Sequence, residues 1–304
     1  MTTGRFLMIV TGASRGFGRC VAEEFVRKVA PFNPVELVLI ARSVPGLKSV
    51  ASAIDEITMA IPDVSEVVVR QNAFDLGDLE RLNARLDGIF SGLADPSRYA
   101  RAVLVNNAGS LGHIGYANEL PSLATLRSEM DFNFTSAMWL SSRFTAVFGV
   151  RKSEALKDAP RVTSDVSETA QSEGGEGEHC SAAPAKNTPG APNNLVVNIS
   201  SKAAFKPIES WGGYSAGKAG REMFHRVLAM EQAKVGGLKI LNYAPGPMAT
   251  DMSLELISPA QYEKDVQNGK LVDPNISAKK CIRLVLSGKF ESGAHIDLFD
   301  EDPA

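Results

Sequence analysis

Five apolar residues, Phe6-Leu7-Met8-Ile9-Val10, run straight into Thr11-Gly12-Ala13-Ser14-Arg15-Gly16-Phe17-Gly18, and this junction constrains the fold more than any other stretch of the chain. From Phe17 to Lys28 apolar residues recur at helical spacing, so the glycines fall at a turn between a strand and a helix. Glycines there let the backbone turn tightly and come close to a pyrophosphate, whose charge is welcome at a helix N-terminus. The spacing is Gly-x-x-x-Gly-x-Gly, not the commoner Gly-x-Gly-x-x-Gly of dinucleotide sites. Taken alone, the motif is also compatible with a glycine-rich turn that holds nothing.

The alternation continues. Strands are predicted near Arg5–Thr11, Glu36–Ala41, Glu66–Gln71, Arg101–Asn106, Asn194–Ser200, Leu238–Asn242 and Ala294–Leu298, with helices between them, the longest within Leu120–Val150. Near-continuous apolar strands separated by amphipathic helices predict an α/β fold, a doubly wound parallel sheet of about seven strands covered on both faces. Ligands bind outside the carboxyl ends of such strands. Gly12, Arg42, Asp75, Asn106, Ser201 and Tyr243 all fall at or just after a predicted strand end and are expected to converge on one cleft. The stretch Arg151–Asn194 breaks the pattern. It has no aromatic residue, isoleucine or methionine and is rich in Ser, Glu, Gly, Ala and Pro, which predicts a flexible surface insertion within one domain spanning residues 1–304.

Composition excludes several classes of function. A chain of 304 residues, 44% hydrophobic, is long enough for one large core, and a net charge of −3 offers no basic field for nucleic acid or acidic membranes. The first strand leaves no room for a signal peptide, and no apolar run reaches membrane-spanning length. Cys20, Cys180 and Cys281 are far apart, a pattern of free thiols in a reducing compartment. Four scattered histidines show no ligand spacing, so no metal site is expected.

The chemistry lies in Tyr214-Ser215-Ala216-Gly217-Lys218. A tyrosine four residues before a lysine shares a helix face with it, and the ammonium is expected to lower the phenol pKa. Ser201, upstream, can hold a substrate oxygen while the tyrosine gives or takes a proton. At the end of the second strand, where an NAD site usually carries an acid, stands Arg42, and Arg15 lies in the glycine turn. Two guanidinium groups suit a 2′-phosphate, which favours NADP(H).

With Asn106-Asn107-Ala108-Gly109 and Asn133 added, these motifs resemble the short-chain dehydrogenase/reductase superfamily in order and spacing, over the whole chain except Arg151–Asn194. That resemblance implies a Rossmann-like fold. A narrower resemblance, to the sepiapterin reductase family, rests on Leu241-Asn-Tyr-Ala-Pro-Gly-Pro247 with Thr250-Asp-Met252, on Gly269-Lys-Leu-Val-Asp273, and on Ser292-Gly-Ala-His-Ile-Asp297. It implies NADPH-dependent reduction of pterin side-chain carbonyls by a cytoplasmic homodimer, in the last steps of tetrahydrobiopterin formation. On that basis Tyr214 is the general acid, Ser201 binds the carbonyl oxygen, Lys218 assists the tyrosine and holds the ribose, and Asn133 fixes a relay water. Gly12, Ser14, Arg15, Gly16, Phe17 and Gly18 cradle the pyrophosphate side and Arg42 takes the 2′-phosphate. Asp75 accepts from the adenine, Asn107, Ala108 and Gly109 flank the adenosine ribose, and Pro245, Gly246, Thr250 and Met252 enclose the nicotinamide. Asp297 anchors the pterin ring, and Trp211 lines the pocket or merely packs. Lys202 is expected to point to solvent and His113 to be a loop residue. A carbonyl reductase for other ketones, diketones or quinones is the alternative, and a nucleotide-binding sensor without turnover a weaker one.

Overall fold

The computed structural model describes residues 4–93, 95–149 and 194–303. Its strands are β1 (Arg5–Thr11), β2 (Val35–Ala41), β3 (Val67–Ala73), β4 (Tyr99–Asn106), β5 (Leu195–Ile199), β6 (Lys239–Ala244) and β7 (His295–Asp297). They form one sheet in the order β3-β2-β1-β4-β5-β6-β7, with every neighbouring pair parallel. This is the single-domain, Rossmann-like α/β fold that the alternation predicts, with the order reversing at β1 and β4.

Side-chain alternation along the strands builds a core on each face of the sheet. Met8 and Val10 of β1 join the apolar faces of helices α1 (Gly16–Val29) and α2 (Val44–Met59) on one side. Leu7 and Ile9 point the other way, against α3 (Leu79–Ser91). The remaining helices are α4 (Leu123–Met130), α5 (Ser136–Phe148), α6 (Gly212–Lys234), α7 (Asp251–Leu254), α8 (Pro259–Gln267) and α9 (Pro274–Ser287). α9 completes the first layer, and α5 and α6 complete the second.

Two expectations need correction. The longest uninterrupted helix is α6, not one within Leu120–Val150. There a π-helical turn, Asp131–Thr135, divides α4 from α5 and buries Asn133. Asn194 is part of the fold and not of an insertion, because its Oδ1 accepts from the Ala102 N–H at 2.7 Å and its Nδ2 donates to the Phe148 carbonyl at 2.9 Å. The rest of the expected insertion, 151–193, lies outside the described residues.

Candidate active site

The glycine turn is held open from β4. Gly12 and Gly16 take positive φ, 64° and 55°. Asn107 Nδ2 donates to the Thr11 and Gly12 carbonyls at 3.0 and 3.3 Å, while Thr11 Oγ1 accepts from the N–H groups of Asn107 and Ala108, each at 2.9 Å. A Cβ at Gly18 would lie 2.5 Å from the Gly12 carbonyl oxygen, so Gly18 serves the closeness of turn and helix. α1 then starts with no side-chain cap and no acid in its first turn, which leaves its N–H groups available to an anion.

A cleft of about 480 Å³ opens over this helix end. Gly12, Ser14, Arg15, Gly16 and Phe17 line it from the turn, Arg42 from the end of β2, Asn107, Ala108 and Gly109 from the end of β4, and Thr250 and Met252 from the far wall. Arg15 Nη1 pairs with Asp251 at 2.8 Å. Arg42 stands 3.7 Å from Asp75 and lies over the Phe132 ring at 5.6 Å.

Not every residue at a strand end reaches the cleft. Asn106 is buried among Ala137 and Ser141, and Tyr243 is buried with its hydroxyl on Ser277 and its ring stacked on Phe17. Both are framework, because strand-end side chains that alternate inward meet the helix layers. Asp75 turns its carboxylate to the Gly77 N–H at 2.9 Å, while its neighbours Phe74 and Leu76 line the cleft. Pro245 and Gly246, expected to enclose the nicotinamide, are not among the residues lining this cleft; Gly246, at positive φ, packs against Leu298 and Phe299.

Tyr214 and Lys218 sit on the inward face of α6, both buried. Trp211 packs edge-on against the Tyr214 ring at 5.4 Å and so walls the phenol. Ser201, extended and capping a short turn at Lys202–Ala204, hydrogen-bonds the phenol. Burial pushes the phenol pKa above its ordinary value of about 10; the Ser201 hydrogen bond and the charge of Arg221 pull the other way. Lys218 Nζ is 5.5 Å from the Tyr214 ring centre and donates to the Ile199 carbonyl at 2.7 Å, and burial holds its own pKa well below the usual lysine value. Arg221, a second buried cation on this helix face, also pulls the phenol pKa down.

Arg221 is the residue that sequence reasoning missed. It is 1% exposed, and it donates to Asn198 Oδ1 at 2.9 Å, to the Ala108 carbonyl at 2.9 Å and to the Asn106 carbonyl. Burial brings its pKa down to about 10. The available signal was position: Arg221 is seven residues past Tyr214, on the same helix face. Asn133 Oδ1 accepts from the Ser110 N–H at 2.9 Å, and a Cβ on Gly109 would lie 3.5 Å from that oxygen and 3.9 Å from Lys218 Nζ. The π-turn thus brings Asn133 to Gly109, which Lys218 Nζ also approaches. His113 lies in the loop after β4, its N–H on Glu129.

Asp297, at the end of β7, is 5% exposed and pairs in register with Ala244 of β6. Its Oδ1 accepts from the Phe299 N–H at 3.1 Å, whereas Oδ2 is buried with no hydrogen-bond partner. Lys280 fixes this segment by donating to the carbonyls of Asp297 and Leu298, each at 3.0 Å, and of Asp300. Among the described residues no cluster of His, Cys, Asp and Glu is arranged to hold a metal ion, and Cys20 and Cys281 are buried and unpaired.

The sequence matches the family profile of short chain dehydrogenases over residues 7–154 and 179–260. It is 33% identical to a sepiapterin reductase of Bos taurus, over 98% of this chain and 96% of that one. It is 25% identical to a benzil reductase ((S)-benzoin forming) of Bacillus subtilis (strain 168), over 96% and 98%. A short chain dehydrogenase structure from Salmonella enterica superposes with a TM-score of 0.67 at 20% identity, over 98% of this chain and 97% of that one.

Proposed function

The chain belongs to the short-chain dehydrogenase family, and on that premise we propose that it is an NADPH-dependent reductase of a carbonyl on a pterin side chain. The observation that carries the pterin is Asp297: a fixed, buried carboxylate whose Oδ2 lacks a hydrogen-bond partner. Left so, that oxygen costs free energy that a ligand donor would recover. A pterin offers adjacent ring N–H and 2-amino donors, which a carboxylate accepts together. The sepiapterin reductase relatives support the same reading.

The cleft fits a dinucleotide. Its uncapped α1 N-terminus suits a pyrophosphate, and Arg42 and Arg15 suit a 2′-phosphate where no acid stands at the end of β2. Gly12, Ser14, Gly16 and Phe17 would hold the phosphates, Asn107 to Gly109 the adenosine ribose, and Thr250 and Met252 the nicotinamide side. When bound, NADPH supplies the hydride that reaches the carbonyl carbon. Tyr214 passes its phenolic proton to the carbonyl oxygen, which becomes the alcohol, and the Ser201 hydroxyl donates to that oxygen as it gains charge. The phenolate left behind is stabilised by Ser201 and Arg221. Lys218, with Asn133 beside it, returns a proton from solvent. Trp211 screens the phenol from water.

A second reading, reduction of other diketones, is favoured by the benzil reductase relative. NADPH oxidation with sepiapterin, beside diacetyl and NADH controls, separates them. Fast turnover of sepiapterin with NADPH is expected. Turnover of diacetyl alone overturns the pterin assignment, and equal use of NADH overturns the arginine reading.

A further inference from the structure

Lys202 follows Ser201 directly, and the sequence gives it to solvent. Its side chain is 66% exposed, yet its Nζ stands 3.7 Å from Asp297 Oδ2 and 5.6 Å from the centre of the Phe299 ring. At 3.7 Å the ammonium is too far to hydrogen-bond the carboxylate, so neither group saturates the other. Asp297 Oδ2 keeps its accepting capacity, and all three ammonium protons of Lys202 remain available beside it. The two groups differ in freedom. The carboxylate is fixed by the β6 pairing and by Lys280, whereas Lys202 is a flexible stem over an aromatic ring. One acceptor from β7 and one donor from the turn after Ser201 therefore stand 3.7 Å apart.

A pterin edge reads, in order, 2-amino donor, N3–H donor, O4 acceptor. A carboxylate matches the first two and leaves the third unmet. Resting on the pterin reading above, we propose that Lys202 is a specificity-determining residue that donates to O4, so that Lys202 and Asp297 together select a 2-amino-4-oxo ring. A charge-assisted donor is suited to the task, since loss of O4 from the substrate would leave the ammonium beside the ring with no acceptor. The opposite role, a lysine that merely covers Asp297 and must be displaced, gives the opposite sign when the charge is removed.

The test compares wild type with Lys202→Met, which keeps the stem without the charge, and with Lys202→Arg, which keeps a donor. Substrates are sepiapterin, a 2,4-diamino analogue with the same carbonyl side chain, and diacetyl. Lys202→Met is expected to raise KM for sepiapterin about tenfold, the factor of one charge-assisted hydrogen bond, with kcat within about twofold. Lys202→Arg recovers most of that loss, diacetyl is indifferent to both changes, and the 2,4-diamino analogue, which turns an amino donor where O4 stood, binds Lys202→Met no more weakly than wild type. An unchanged or lowered KM for sepiapterin in Lys202→Met overturns the proposal while leaving the pterin reading intact. A wild-type enzyme that reduces diacetyl but neither binds nor reduces sepiapterin overturns both, and the wild-type arm alone reveals that failure.

Discussion

A phenol as deeply packed as Tyr214 holds its proton until something draws it off. Burial raises its pKa above about 10, and the opposing pull comes from Ser201 and Arg221. An acid whose pKa is raised is protonated through the neutral range, which is the state a carbonyl reduction needs. Tyr214→Phe is therefore expected to cut turnover by about a thousandfold or more, with NADPH affinity, followed by its fluorescence, unchanged. In the free protein, the ultraviolet phenolate signal lost with that substitution is expected only above about pH 10. A phenylalanine variant that still turns over removes the phenol as the acid. Ser201, Tyr214 and Lys218 were legible only in the company of the glycine turn and the Asn106–Gly109 segment, because a tyrosine four residues before a lysine is by itself common on helix surfaces. Arg221 was not, since an arginine on a helix normally faces water, and the acceptors that let this one be buried, Asn198 Oδ1 and the carbonyls of Asn106 and Ala108, come together only in the fold.

At the scale of elements, the inward stripe of α6 does more than carry the phenol. His225 Nε2 meets Ser141 Oγ of α5 at 2.8 Å, Ser141 Oγ accepts from Asn106 Nδ2 of β4, and His225 Nδ1 meets the Arg221 carbonyl at 2.7 Å. One neutral imidazole thus ties two helices and a strand together. Burial pushes its pKa down from 6.5 to about 3. The folded chain keeps the ring neutral while the unfolded chain takes up a proton below about pH 6.5, so this stability is whole above that pH and is lost as pH falls toward 3. Between pH 7 and 5 wild type is expected to lose about 2 kcal/mol more than His225→Leu, by urea unfolding, although the variant is the less stable of the two at pH 7. Parallel pH dependences would remove the histidine from the account. The strands were read almost to the residue, because apolar runs between turn signals leave little choice. The π-turn was not, since apolar periodicity continues through Asp131–Thr135 and only the extra residue of the turn swings Asn133 toward Lys218.

At the scale of the whole molecule, α6 has a second stripe. Met223, Val227 and Met230 recur at helical spacing, 60%, 45% and 66% exposed, beside an apolar groove of about 860 Å³ walled by Leu82, Met138, Trp139, Phe224, Leu228 and Val235. So much apolar surface on a chain with near-neutral charge is what a partner would cover. We propose that a second copy covers it, each copy presenting the same α5–α6 face about a two-fold axis. Light scattering after size exclusion is expected to give twice the chain mass for wild type, and the chain mass for the double variant Val227→Glu, Met230→Glu. A wild-type monomer at every concentration tested would end the proposal. The outward stripe lies on the helix whose inward stripe holds Tyr214, Lys218 and Arg221, so a dimer also braces the acid and the buried cations on its helix face. Dissociation is therefore expected to lower kcat and thermal stability together, even though neither glutamate touches the cleft.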